Sequence, residues 1–250
     1  PGVDKRPAAA YEDERFAREA REEESSTFAA HVRYASTGRV SLENTHPFEQ
    51  RGRLFAHNGA ILDLEKLDGH LGDYRDLVAG ETDSERFFAL ITKEAEARDK
   101  DVGAGIVAAV KWIAAELPLY ALNCVLTTPT DVWALRYPES HDLLVLERAS
   151  GGPSGRRHLD GASSAGTIRI RSAGLAERAA VIFASEQMDE DRGWRSLEPG
   201  ELVQVDTDLN VSTRVIDRAP AHQLRLEDLD PRAAASQRSP TQRREAHATP

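Results

Sequence analysis

Four short stretches gather residue types that can do chemistry: "HVRYAS" at 31–36, "NTHPF" at 44–48, "HNG" at 57–59 and "TDSE" at 82–85. Each sets polar or charged groups at a strand end or a helix start. Arg33 offers a planar, five-donor fork suited to a carboxylate. Asp83, near a helix start, can accept from an ammonium group. Asn58 and Gly59 can supply two N–H donors to one oxygen that becomes negative during acyl transfer, as an oxyanion hole does. A carboxylate, an ammonium and an acyl carbon together describe an amino acid with a reactive side-chain carbonyl. Glutamine fits that description.

Each stretch also has a plainer reading. Arg33 could pair with Glu43 at the surface. Asn-Gly is the strongest two-residue hairpin signal, so Asn58-Gly59 could be a turn. Asp83 and Glu85 could only cap a helix, although capping and ligand binding are compatible. His31, His46 and His57 follow no zinc spacing and no acidic ligand joins them at a standard offset, so no metal is expected. No cofactor loop is visible either: the chain has neither G-x-G-x-x-G nor a Walker-type motif.

The elements that must position these residues follow from patterning. "YEDERFAREAREEE" reads as an exposed, salt-bridged helix. "TFAAHVRYAS" reads as a strand, "TGRVSLENTHPF" as a loop, and "GRLFAHNGAI" as a strand that ends at Asn58-Gly59. "DLEKLDGHL" is a helical turn. "TDSERFFALITKEAEA" is a helix capped by Thr82 or Asp83, and "DVGAGIVAAVKWIAAEL" is a more apolar one that stops before Pro118. "LYALNCVLTT", "DVWALRYP" and "DLLVLERA" then form a meander, and "GGPSGRRHLDGASSAG" is a loop. "TIRIRS", "AAVIFASE" and "GELVQVDTDLNVSTRVI" add strands, the last a hairpin around Asp208–Asn210. Residues 1–230 read as one domain and 231–250 as a disordered tail poor in apolar residues. Strands, two helices, then many strands make an α+β layout with antiparallel sheets.

Bulk properties narrow the partners. The 250 residues carry a formal net charge of −10. A diffuse acidic balance argues against nucleic acid, whose phosphates need clustered Lys and Arg. No apolar run reaches the roughly 18–20 residues that span a bilayer, so no membrane is expected. The only cysteine, Cys124, excludes an intrachain disulfide framework and fits a reducing cytoplasm.

"HVRYASTGRVSLENTHPF", "FAHNGAI" and "GETDSERFFALI", in that order, resemble the class II glutamine amidotransferases of the amino-terminal-nucleophile hydrolase superfamily. The likeness is densest from 28 to 92. It continues more weakly through "LYALNCVL", "WALRYPE", "FASEQMDED" and "GWRSLEPGELV", which resemble stand-alone, amidohydrolase-like members. The resemblance implies a four-layer αββα sandwich of antiparallel sheets. It implies Asn58 and Gly59 as the oxyanion hole, Arg33 on the glutamine α-carboxylate and Asp83 on the α-amino group. His46 would help shape the pocket, with Thr82 and His57 beside it. It implies glutamine or a γ-glutamyl amide as ligand, with an ammonia-accepting partner protein as a possibility and no cofactor. The family nucleophile is a cysteine at the mature amino terminus, whereas this chain opens on Pro1. The nucleophile and the first strands are therefore expected upstream of a fragment. Cys124, within an apolar strand, is not expected to replace it. The alternative reading is a non-catalytic module that holds glutamine or a γ-glutamyl compound, or a degenerate remnant.

Overall fold

A computed structural model of the chain describes residues 2–10, 12–32, 38–152, 158–163 and 169–238. The charged amino-terminal segment forms α1 (Glu14–Glu22), capped by the Asp13 carboxylate and buried nowhere along its length. Arg15 pairs with Glu19 at 2.7 Å one turn on, as an exposed, charge-laced helix should. The strand expected over 27–36 is not seen in its described part. Residues 27–32 are irregular, and Phe28 and Val32 stand 62% and 68% exposed. Apolar content makes a strand only when a neighbouring strand or face buries it. Arg33 lies outside the described residues.

β1 (Phe48–Gln50) and β2 (Arg53–Ile61) form a tight hairpin, with Gln50 opposite Arg53. The two residues between them, Arg51 and Gly52, have φ of 55° and 73°. Positive φ at both positions is what a two-residue turn matched to strand twist demands. The turn of this region is therefore Arg51-Gly52. Asn58-Gly59 lies inside β2, which runs on to Ile61, and the strand end expected there is two residues late.

α2 (Leu64–Leu71), α3 (Asp83–Glu96) and α4 (Val102–Glu116) follow, each begun by an Asp or Thr side chain that accepts a first-turn N–H. The remaining strands are β3 (Leu119–Thr127), β4 (Asp131–Leu135), β5 (Leu144–Arg148), β6 (Leu159–Ala162), β7 (Arg169–Ser172), β8 (Ala180–Ala184), β9 (Arg195–Ser196), β10 (Glu201–Asp206) and β11 (Val211–Val215). One six-stranded sheet has the order β1-β2-β3-β4-β10-β11 and a second has β8-β5-β9. All these pairings are antiparallel. The expected hairpin near 208–210 is β10–β11. Its turn is held by the Asp206 carboxylate, which accepts from the N–H groups of Asp208 and Asn210 at 2.8 and 2.9 Å. β6, inside the segment expected to be loop, pairs with β7, which falls in the strand expected from "TIRIRS".

Alternation sorts the sheet faces. Phe55, Ile61, Leu122, Leu126, Trp133, Leu135 and Leu202 point at α3 and α4 and build the main core with Phe87, Phe88, Leu90, Ile91, Ile106, Val110 and Ile113. Ala134, Val203 and Val205 point the other way and meet Val145, Leu143 and Leu197, with Val181 and Phe183, from the second sheet's side. The layers thus run helices, six-stranded sheet, three-stranded sheet.

Residues 231–237, assigned by composition to a tail, form α5 (Pro231–Gln237). Asp230 accepts from the N–H groups of Arg232 and Ala233, and Pro231 takes the first helical position, where no donor is needed. Ala233 and Leu229 then bury against Ala60, Tyr120 and Ala121. Composition missed this because two small contacts and a cap suffice to seat two helical turns on a preformed surface. Residues 239–250 lie outside the described residues.

Candidate functional site

The site is built where the end of β2 meets the start of α3. Thr82 is the cap of α3: its hydroxyl accepts the Glu85 N–H at 3.2 Å. The next residue, Asp83, is only 6% exposed, and its Oδ2 accepts the Ile61 N–H at 3.0 Å. A buried carboxylate is costly unless hydrogen bonds hold it, and this one is held by a backbone donor two residues past Gly59. Its other oxygen faces the Ser84 hydroxyl at 3.4 Å. The first-turn position also favours negative charge through the exposed N–H groups of the helix end.

Side chains fix the segment leading into α3. Glu85 accepts from the N–H groups of Ala79 at 3.1 Å and Gly80 at 2.7 Å. Asn44, 2% exposed, accepts the Glu81 N–H at 2.7 Å and donates to the Arg39 carbonyl at 3.0 Å. Gly80 is packed so tightly that a Cβ would sit 2.4 Å from the Asn44 amide oxygen. Arg86 grips Asp68 with two nitrogens at 2.8 and 3.2 Å and donates back to the Thr82 carbonyl at 3.0 Å. Thr82 and Asp83 therefore stand on a segment whose amides are satisfied from three directions. Through Asn44 the loop carrying His46 is tied to the same segment. His46 itself is 5% exposed; its ring lies 4.2 Å from that of His31 and 4.6 Å, edge-on, from that of Phe48.

On β2, Asn58 and Gly59 lie opposite Asn123 and Leu122 of β3. Asn58 shares its face with Ala56 and Ala60, turned from α3. Gly59 admits no side chain, since a Cβ there would fall 1.8 Å from the Ala121 carbonyl oxygen. His57, on the α3 face, is 4% exposed; its Nδ1 meets the Ser84 hydroxyl at 2.9 Å and its Nε2 the Ala121 carbonyl at 3.2 Å. Burial pushes its imidazole below the ordinary histidine range, against the pull of the Asp83 charge. His57 is thereby suited to brace β2 against α3 as a neutral ring.

The structure thus ties Asp83 to the end of β2 through Ile61, sets the Asn58 side chain on the strand face turned from α3, joins the His46 loop to the α3 start, and says nothing of Arg33. Sequence reasoning missed Asn44, Ser84, Asn123, His141 and Gln237. Asn123, facing Asn58 in register, accepts the Tyr137 N–H at 2.9 Å and donates to the His141 carbonyl at 3.1 Å. Gln237 donates to the Gly59 carbonyl at 3.0 Å, and its amide oxygen meets His141 Nε2 at 2.8 Å. No local pattern marks such residues, because each has its decisive partner far away in sequence.

Cys124 lies on β3 opposite His57, 4% exposed and packed in the main core. Burial pushes its thiol well above the ordinary range, so it is not a source of thiolate. Among the described residues no group of three or more His, Cys, Asp or Glu could hold a metal ion, and no helix is long and apolar enough to cross a membrane.

Residues 3–228 match the family of glutamine amidotransferases, class II. An uncharacterized protein of Methanocaldococcus jannaschii is 31% identical over 188 residues, 72% of this chain and 50% of its own. "Putative glutamine amidotransferase YafJ" of Escherichia coli K12 is 36% identical over 94 residues, 36% of this chain and 35% of its own. The chain thus spans half of the first relative and about a third of the second. A glutamine aminotransferase class-II domain protein from Silicibacter pomeroyi superposes with a TM-score of 0.59 at 21% identity, over 88% of this chain and 87% of that one. A likeness at that identity speaks for the fold.

Proposed function

Because the chain belongs to the class II glutamine amidotransferases, we propose that the β2–α3 junction binds glutamine or a γ-glutamyl amide and serves hydrolysis of that amide. The observation that carries the reading is the buried Asp83 carboxylate, held by the Ile61 N–H beside Asn58-Gly59. Asp83 takes the ligand's ammonium and Arg33 its α-carboxylate. Thr82 and His46 shape the pocket. Asn58 Nδ2 and the Gly59 N–H receive the amide oxygen as it gains charge. In the chemistry proposed, a thiolate attacks the amide carbon and the C–N bond breaks. Ammonia leaves with a proton, and water then cleaves the thioester to release a carboxylate and regenerate the thiol. With Cys124 sealed in the core, this reading takes the thiol from outside these 250 residues. Any acceptor of the ammonia is a partner protein. The setting is a cytoplasm, where such a thiol stays reduced. Residues 1–230 act as the amidotransferase-type unit.

The test is ammonia release from L-glutamine by the protein joined to its thiol-bearing segment. Substituting Asn58→Ala should lower turnover by about 10²–10³-fold, the effect of removing one oxyanion donor. Turnover unchanged in that variant sinks the assignment of the oxyanion hole.

A second reading, a module that binds glutamine or a γ-glutamyl compound without reacting, is favoured by the inaccessible Cys124. It predicts saturable binding with no ammonia release in any context.

A further inference from the structure

α5 lies after residue 228, where the family match stops. It thus falls just outside the matched stretch, and it does not dock at random. Leu229 and Ala233 pack on Ala60, Tyr120 and Ala121. Ala60 shares its strand face with Asn58, so α5 covers the face of β2 on which the proposed oxyanion donor stands. At its carboxyl end Gln237, 6% exposed, turns its carboxamide to the site: Nε2 donates to the Gly59 carbonyl at 3.0 Å and to its neighbour Ser236 Oγ at 3.1 Å, and Oε1 meets His141 Nε2 at 2.8 Å. The Gly59 acceptor fixes which end of that amide is which, since a flipped amide would set two oxygens together. The group seated there is the same primary carboxamide that a glutamine ligand carries.

We propose that α5 is a self-supplied plug over the Asn58–Gly59 site, latched by Gln237, which external glutamine must displace. This rests on the glutamine-site reading above. The energetics suit displacement. α5 has seven residues, far below the length at which a helix holds itself in water, so it persists only through its Asp230 cap, two apolar contacts and the Gln237 latch. When the latch opens, the Gly59 carbonyl is freed for the NH2 group of an incoming carboxamide whose oxygen takes Asn58 and the Gly59 N–H, and the His141 ring is freed to water. An internal copy of the ligand's own functional group thereby sets a threshold concentration for glutamine.

The experiment measures L-glutamine affinity calorimetrically for the full chain, Gln237→Ala and Ala233→Asp, the last placing a charge in the apolar seat of α5. Asn58→Ala is measured alongside. Hydrogen exchange of the 233–237 amides is followed with and without L-glutamine. The latch predicts binding about tenfold tighter in Gln237→Ala and Ala233→Asp. It also predicts amides protected in the free protein and exposed once L-glutamine binds. Equal affinities in the full chain and both α5 variants, with those amides still protected in the complex, overturn the plug. The glutamine site itself would still stand if Asn58→Ala weakens that binding. No binding in any protein, the unplugged variants included, overturns both.

Discussion

Asp83 Oδ2 accepts the Ile61 backbone N–H at 3.0 Å, so the first helical residue of α3 ties down the last residue of β2. The same carboxylate closes the sheet–helix junction and is proposed to meet a ligand's ammonium. Two substitutions separate the roles. Asp83→Ala leaves a buried N–H without its acceptor and should cost about 1–3 kcal/mol of stability in urea denaturation. Asp83→Asn keeps an acceptor oxygen for Ile61 but removes the charge. It should lose less than about 1 kcal/mol yet weaken L-glutamine binding by about tenfold or more. Full affinity in Asp83→Asn would reduce Asp83 to a cap.

Gly59 admits no Cβ because the Ala121 carbonyl oxygen would lie 1.8 Å away. Backbone cannot yield as a side-chain tip can, so Gly59→Ala must part β2 from β3. We expect a loss of about 1–3 kcal/mol or more, read as a lower thermal midpoint. Gly69→Ala, inside α2 where nothing lies within 4 Å of the new carbon, is the control and should hold or raise the midpoint, since alanine suits a helix better than glycine.

Acid should loosen the fold through His57. Its folded pKa is held below the ordinary 6.5 by burial. Between those two values the unfolded chain takes up a proton that the folded chain refuses. Stability is therefore full above about pH 6.5 and falls as pH drops below it, by at most about 1.4 kcal/mol per pH unit for one such group. His141, also lowered mainly by burial, adds to the same window. The measurement is urea stability at stepped pH from 7.5 down to about 5. His57→Gln should flatten the decline even if it lowers the plateau.

Cys124 should resist thiol reagents in the native protein and react only on unfolding, since its thiol is buried and its ionisation suppressed. Cys124→Ser should retain L-glutamine binding. Rapid native-state labelling would mean that β3 opens far more often than its packing allows.

The junction was legible where its cause is local. Thr82-Asp83-Ser84-Glu85 is a helix start by residue type alone, and Thr82 is indeed the cap. Short apolar runs parted by turn residues announced antiparallel strands, although the meander expected of β3, β4 and β5 breaks after β4, whose other neighbour is β10. Asn58-Gly59 misled as a strand end because its dipeptide preference speaks for turns, while register with Asn123 and Leu122 keeps it extended. The turn went instead to Arg51-Gly52, a pair with a weaker local signal. Asn44, Asn123 and Gln237 were illegible for one reason: each satisfies backbone on a distant element, and no window of sequence contains both partners. α5 was hidden because its few apolar contacts are small alanines and one leucine.

The six-stranded sheet joins β4 directly to β10, with Leu135 opposite Leu202, while β5 to β9 belong to other sheets. During synthesis, then, β1 to β4 can zip as consecutive neighbours, but β4 must wait as an open edge until the whole intervening stretch has emerged. Long-range closure of this kind is slow. The growing chain passes through an interval in which the backbone groups of Val132–Leu135 that do not face β3 stand unpaired before any passing strand. Crowded refolding in a test tube would bring other chains to the protein at that edge. Slower translation between β4 and β10 would lengthen that exposure.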